Sequence, residues 1–181
     1  DNSLFLHVTL IPYIGPSGES KTKPTQHSVR ELRNIGIQPD ILLCRTRRPL
    51  SREMREKLSL FCDVAPEAVI EGLDTESIYE LPLIFEEQGL GPLVANRLGL
   101  DGKPDHGEWE QVVARVREPA GTVEIAMVGK YMALQDAYIS VTEAIKHGAI
   151  ANGVRAEVKR VDSEEIEKQG PEQLLEGVAG I

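Results

Sequence analysis

The run Asp40-Ile-Leu-Leu-Cys44, followed directly by Arg45-Thr-Arg-Arg-Pro49, is the part of the sequence that decides the fold. An apolar run without polar alternation is typical of a parallel strand that is buried on both faces. In open α/β sheets, ligands bind where loops leave the carboxyl ends of the strands. We therefore expect a parallel sheet with the basic loop 45–49 at its ligand-binding edge.

The sequence on either side supplies further strands and the helices that connect them. Leu4-Phe-Leu-His-Val-Thr-Leu-Ile11 predicts a central strand, and Val69-Ile70 predicts a short one. One helix is predicted from about Pro24 to Asn34, with Gly36 ending it. Ser51 is the expected cap of a second helix. The apolar stripe of that second helix is expected to contain Met54, Leu58 and Phe61.

The second half of the chain predicts another α/β unit after a change of composition. A helix around 77–88 is expected to end at Gly89, and the polar stretch 101–107 is typical of a linker. A strand at 123–128, a helix capped by Asp136 and a strand at 154–158 then indicate the start of a doubly wound domain. We thus expect domains at 1–100 and 122–181, joined by a linker at 101–121. We also expect the chain to be a fragment, because core strands stand at both of its ends.

Composition excludes several classes of function. The chain has 181 residues and a formal net charge of −9, which argues against non-specific binding to nucleic acid or to a membrane surface. No apolar run approaches a membrane span and no signal peptide is visible, so a cytoplasmic location is expected. Cys44 and Cys62 are too few for a disulfide framework or a zinc site and are interpreted as core residues. No metal-ligand set is predicted.

Residues 21–57 reverse the charge of the rest of the chain. They hold ten lysines and arginines against four acids, inside an otherwise strongly acidic sequence. A local reversal of this kind fits a focused anion site. Some of these arginines are expected to face solvent, and Arg30 and Arg33, which flank Glu31, are interpreted as surface charges rather than ligands.

The most specific motif is Gly18-Glu-Ser-Lys-Thr-Lys-Pro-Thr-Gln-His-Ser28, within this basic region. Proline is favoured at the first turn of a helix, where the unpaired N–H groups and the helix dipole attract anions. Lys21 and Lys23 would bring two ammonium groups to that point. A nucleotide would suit this site, whereas the alternative interpretation is a solvated turn that happens to carry two lysines.

The sequence resembles the CTP synthase family, whose members are glutamine-dependent amidoligases that make CTP from UTP. The resemblance rests on Lys-Thr-Lys-Pro-Thr-Gln-His-Ser at 21–28, Gly-Ile-Gln-Pro-Asp at 36–40, Val-Gly-Lys-Tyr at 128–131 and Asp-Ala-Tyr at 136–138. It runs through the whole chain in colinear order. It implies the C-terminal part of a P-loop-type synthetase domain with a parallel sheet, followed by the start of a doubly wound class I glutaminase domain.

The resemblance also implies the site residues. Lys21 and Lys23 would neutralise phosphate charge during phosphoryl transfer, with no nucleophile or base in this chain. The pyrimidine-nucleotide site for UTP or CTP would comprise Lys21, Thr22, Lys23, Pro24, Thr25, Gln26 and Lys57. The ATP site would include Arg45, Leu73, Asp74 and Thr75, although Leu73 and Thr75 depart in type from the family pattern.

Other parts of the family's chemistry have no counterpart in the sequence. The sequence contains no recognisable Gly-Lys-Ser/Thr loop for phosphate, no magnesium-binding acidic pair and no Cys–His–Glu glutaminase triad. We therefore expect this chain alone to be inactive. Family likeness implies Mg²⁺ held by ligands outside this chain, GTP activation and a homotetramer. The competing hypotheses are a non-catalytic pyrimidine-nucleotide sensor and, ranked last, another P-loop amidoligase.

Overall fold

A computed structural model describes residues 3–15, 18–102 and 104–181. The described chain divides after His106 into two compact units, 1–106 and 107–181. The boundary lies inside the stretch predicted to be a linker. Each unit is an α/β structure with parallel strand pairing.

The first unit is built on a three-stranded parallel sheet, in which β4 (Ile41–Thr46) lies between β1 (Leu6–Ile11) and β5 (Val69–Leu73). Its other elements are a short antiparallel hairpin and four helices that follow the strands. In chain order the elements are β1 Leu6–Ile11, β2 Tyr13–Ile14, β3 Glu19–Ser20, α1 Lys23–Asn34, β4 Ile41–Thr46, α2 Arg52–Cys62, β5 Val69–Leu73, α3 Leu81–Glu87 and α4 Leu90–Leu98.

The central strand β4 is buried on both faces, as its apolar run predicts. Leu42 and Cys44 belong to a core cluster on the face of the sheet that carries α1 and α2. Ile41 belongs to a second cluster, against which Phe85 of α3 and Val94 of α4 pack. The alternation follows from the two-residue period of a strand, which sends successive side chains to opposite faces.

Two sequence predictions about packing in this unit are wrong. Strand β1, predicted to be central, lies at an edge of the sheet among the described residues, and Val8 is 63% exposed. Phe61, predicted within the apolar stripe of α2, is 56% exposed, whereas Leu58 and Cys62 are fully buried there. For an apolar residue at the edge of a helix's apolar stripe, the sequence pattern does not show whether the side chain faces the sheet or solvent.

The helix ends follow local sequence signals closely. Helix α1 begins at Lys23, one residue before Pro24, and its C-terminal turn is closed by Gly36 with a φ of +89°. The Ser51 hydroxyl accepts a hydrogen bond from the Met54 backbone N–H at 3.2 Å, which is the predicted cap of α2. The helix predicted at 77–88 is a 3₁₀ turn followed by α3, and α4 was not predicted.

The second unit contains a parallel β-α-β arrangement, as predicted. Its elements are α5 Gly107–Arg117, β6 Thr122–Gly129, α6 Ile139–Ala151, β7 Arg155–Asp162, α7 Ser163–Gln169 and α8 Pro171–Leu174. Strands β6 and β7 pair in register from Thr122↔Arg155 to Gly129↔Asp162. Near the C-terminus, Gly180 forms an isolated parallel bridge with Ile125 of β6.

Helix α6 differs from its prediction at its start. Asp136 lies in a 3₁₀ turn, Gln135–Tyr138, and α6 begins at Ile139 without a side-chain cap. Val141 is 44% exposed, and Ala149 is the buried residue of this helix. The helix is apolar around much of its circumference, so the pattern does not define one buried face.

Candidate functional site

The residues predicted to bind nucleotides lie in or beside loops that leave one edge of the first sheet, except Lys57, which lies in the middle of α2. The ends of the three parallel strands are aligned in register, with Ile11 opposite Thr46 and Thr46 opposite Leu73. The hairpin and the start of α1 follow β1, the basic loop follows β4, and residues 74–77 follow β5. Parallel pairing therefore gathers the segments predicted to be functional at the carboxyl edge of the sheet.

Helix α1 presents its N-terminal end at this edge. The first backbone hydrogen bond of the helix runs from the Gln26 N–H to the Thr22 carbonyl at 3.2 Å. The N–H groups that precede it in the first turn have no partner within the helix, and Pro24 has no N–H at all. Thr22 occupies the cap position, but its side chain makes no capping hydrogen bond.

Thr25 is fully buried, and its hydroxyl belongs to the core. Its Oγ1 lies 3.0 Å from Thr9 Oγ1 on β1 and donates to the Leu10 carbonyl at 3.3 Å. In the contact between the two threonine hydroxyls, either oxygen can be the donor. The Thr25 hydroxyl therefore ties the start of α1 to β1.

The Gln26 side chain is also engaged locally, with Thr22. Its amide Nε2 donates to Thr22 Oγ1 at 3.1 Å, and the Thr22 side chain is itself buried. Among the described residues, the Gln26 carbonyl oxygen and its second amide proton have no hydrogen-bond partner, so both could bond a ligand. Gln26 is half-buried at the start of the helix, which suits a contact with a bound molecule at this edge.

The three predicted lysines differ in their electrostatic surroundings. Lys21 is half-buried and its ammonium donates to the Glu19 carboxylate in an ion pair. The hydrogen bond from Lys21, and then its charge, lowers the pKa of Glu19 below its ordinary value. Lys23 and Lys57 are exposed, on α1 and α2 respectively, and among the described residues neither forms an ion pair with a carboxylate.

The predicted ATP-side residues meet at the ends of β4 and β5. Arg45 Nε donates to Asp74 Oδ1 at 3.1 Å, and the Asp74 N–H donates to the Thr46 carbonyl at 2.9 Å. Thr75 turns its hydroxyl toward the Ser77 carbonyl at 2.8 Å, while Leu73 is half-buried at the strand end. The pairing of β4 with β5 explains why residues 29 positions apart come together.

Three neighbouring residues were not predicted as part of either cluster. Glu19 pairs with Lys21, Arg47 lies 3.9 Å from Asp74 Oδ2, and the Arg48 guanidinium stands 4.5 Å from the centre of the Tyr13 ring. A signal existed for two of them. Glu19 stands two residues before Lys21, and Arg47 two residues after Arg45, which is the spacing that places side chains on one side of an extended segment.

Neither cysteine is a candidate nucleophile. Burial raises the pKa of the Cys44 thiol to about 12, and burial also raises the pKa of Cys62. Both thiols are free and lie in the core of the first unit, as the sequence predicts. Within the described residues, no group of three His, Cys, Asp or Glu side chains could hold a metal ion.

The fold and the charged edge define a class: a parallel α/β protein with cationic side chains gathered at the carboxyl ends of its strands. Residues 1–100 match the family model described as the CTP synthase N-terminus. The chain belongs to the CTP synthase family. The match of the family model ends before the second unit, so it gives no support to a glutaminase assignment there.

Curated CTP synthases are similar in sequence to this chain along its whole length. The CTP synthase of Ruminiclostridium cellulolyticum is 54% identical over 182 residues, which cover 100% of this chain and 34% of the relative. That of Symbiobacterium thermophilum is 55% identical over 99% of this chain and 34% of its own length. That of Acaryochloris marina is 53% identical over 100% and 33%. The chain thus spans about a third of the length of these relatives.

Among the described residues, no helix combines the length and the apolar character that crossing a bilayer requires.

Proposed function

We propose that this chain is part of a glutamine-hydrolysing CTP synthase, which aminates UTP to CTP with ATP and with ammonia from glutamine. The observation that carries the proposal is the alignment of two cationic clusters at one sheet edge in a chain of this family. One cluster contains Lys21 and Lys23, and the other contains Arg45 with Asp74. The reaction uses two nucleotides, so two anion-binding clusters suit it.

In this proposal the lysines act on phosphate. Lys21 and Lys23, together with the free N–H groups of the first turn of α1, neutralise the triphosphate of UTP or of CTP. Lys57 adds a third ammonium from α2, a helix that contacts α1. Gln26 supplies neutral hydrogen bonds, whereas Thr22, Pro24 and Thr25 shape the helix start and hold it to the core.

The second cluster holds the ATP side. Arg45 lies beside Asp74 at the strand ends, where an arginine can face phosphate or stack on a base. The segment 73–75 contributes backbone groups, with the Asp74 carboxylate as a partner for ATP hydroxyl groups and for Arg45. Leu73 and Thr75 differ in type from the family pattern. Contacts made by their backbone groups would not depend on the side-chain type.

The proposal assigns the rest of the catalytic machinery to other parts of a longer protein. Residues 1–100 are taken as the C-terminal part of the synthetase domain, 101–121 as a linker and 122–181 as the start of the glutaminase domain. The parallel β6-α6-β7 arrangement supports the last assignment, since doubly wound domains begin in this way. Mg²⁺, GTP activation, a homotetramer and a cytoplasmic location complete the proposal by family likeness.

The direct test uses the full-length protein that contains this chain. It is incubated with UTP, ATP, glutamine and magnesium, and CTP and glutamate are separated and quantified. Formation of CTP only when both ATP and glutamine (or ammonia) are present supports the proposal. Binding of CTP or UTP without any CTP formation would instead favour the nucleotide-sensor hypothesis.

A further inference from the structure

The ion pair between Glu19 and Lys21 carries an inference that rests on the proposed function and deepens it. Glu19 lies in β3 and pairs with Ile14 of β2, which fixes its backbone. The Lys21 N–H donates to the Pro12 carbonyl at 2.9 Å, which fixes the backbone of the lysine. Two residues apart in an extended segment, the side chains share one side of the chain, so the carboxylate reaches the ammonium.

This pairing distinguishes Lys21 from the other lysines of the proposed pyrimidine-nucleotide site. In the part of the chain that the structure describes, Lys23 and Lys57 have no carboxylate within ion-pair distance. Lys21 alone among the three described lysines therefore meets a nucleotide with its charge already balanced. A phosphate oxygen and the Glu19 carboxylate would both bond the same ammonium, and both are anions.

We propose that Glu19 competes with the nucleotide phosphate for Lys21 and thereby weakens the affinity of the site. Nucleotide binding separates the ion pair and leaves Glu19 as an unpaired anion next to the triphosphate. The residue lowers affinity in two ways, by the lost ion pair and by repulsion of like charges. Because the side chains of Lys21 and Glu19 are 42% and 62% exposed, the effect is moderated by water and salt.

The proposal is tested by titrating CTP into the full-length protein by calorimetry, without ATP or glutamine so that no turnover occurs. The variants are E19Q, K21A, the double variant E19Q/K21A, and E31Q. Glu31 is an exposed acid on α1 whose side chain accepts a hydrogen bond from Asn34, so E31Q makes the same change of net charge away from Lys21. E19Q should tighten CTP binding about threefold to fivefold, as expected for removing one exposed competing charge.

The control variants separate a local effect from a general one. E31Q should leave the dissociation constant within error. The gain from E19Q should be clearly smaller in the K21A background, because no ammonium remains to compete for and only the repulsion of like charges is left. Unchanged or weaker binding by E19Q would overturn the proposal. So would an equal gain with and without Lys21, since that would be a general field effect.

Failure of the proposed function gives a different pattern. If the unmodified protein does not bind CTP, or if K21A binds CTP as well as the unmodified protein, then the pyrimidine-nucleotide site itself is wrong and the inference falls with it. If CTP binds and K21A weakens it while E19Q has no effect, only the inference fails. Circular dichroism of each variant checks that the exposed substitutions leave the fold intact.

Discussion

The two proposed clusters share one sheet edge but are attached to the core in different ways. Around Lys21, the first turn of α1 has Thr25 fully buried and bonded to β1. Around Asp74, the partners Arg45 and Arg47 have side chains that are 70% and 79% exposed. If the proposed sites are right, binding and folding share residues in the lysine cluster (Lys21, Lys23 and the first turn of α1). The arginine cluster (Arg45, Arg47 and Asp74) can then be altered with little effect on stability.

The strongest test of the lysine cluster compares Lys21→Ala with Arg30→Ala in the full-length protein. Both residues are cations of the same region, but Arg30 is an exposed residue in the middle of α1. Lys21→Ala should lower kcat/KM for UTP. The decrease should correspond to a loss of ~2 kcal/mol or more of transition-state stabilisation, if Lys21 meets the transferring phosphate. Arg30→Ala should cost less. Equal losses in steady-state assays would remove Lys21 from the site.

Thr25→Val tests whether the core or a ligand uses the hydroxyl. The valine matches the threonine in shape but leaves the Thr9 hydroxyl and the Leu10 carbonyl without their partner. Unfolding free energy should fall by about 1–3 kcal/mol, measured as a shift of the urea midpoint. Thr75→Val, which removes one hydrogen bond in a half-buried loop, should cost less. Normal stability with lost CTP affinity would make Thr25 a ligand instead.

Arg45→Ala tests whether the arginine cluster contributes to ATP binding. The KM for ATP should rise by about fivefold, as expected for loss of one partly solvated ionic contact, while the urea midpoint stays unchanged. Arg52→Ala is the matched control, because Arg52 forms a 2.8 Å ion pair with Glu56 on the surface of α2. An equal rise of KM in Arg52→Ala would mean a general charge effect.

The smallest effect is expected at Cys44, which adjoins Arg45 but points into the core. With its pKa raised to about 12, the thiol is protonated at pH 8, and alkylation by iodoacetamide should be undetectable by peptide mass spectrometry. The raised pKa also means that ionisation favours the unfolded chain. The protonated thiol therefore makes its full contribution to folding stability below the ordinary pKa of 9.0. This contribution is lost as the pH rises toward 12. Rapid alkylation of the folded protein would contradict this burial.

Local signals in the sequence predicted much of the fold. The apolar run 41–44, the Ser51 cap and the Pro24 helix start depend on neighbouring residues, so their prediction needs no knowledge of tertiary contacts. The edge position of β1 and the exposure of Phe61 depend on which elements pack nearby, and no short segment contains that information. The hairpin of β2 and β3 was missed because two-residue strands carry almost no periodic signal.

The candidate site shows the same division. Lysines and arginines in a basic region, combined with family likeness, predict where anions bind. The burial of Thr25 and the pairing of Glu19 with Lys21 are tertiary facts, since each depends on how β1 and the hairpin lie beside the helix start. A motif thus predicts where a site lies, but it does not predict which of the side chains there are already paired.

The edge position of β1 has a practical consequence for handling this polypeptide. Leu6, Val8 and Leu10 are exposed on one face of the strand, and no further strand pairs with its outer side among the described residues. An uncovered apolar edge can recruit another copy through backbone hydrogen bonding. Preparations of this chain by itself should therefore aggregate as concentration rises, and Val8→Lys is the substitution expected to keep it dispersed.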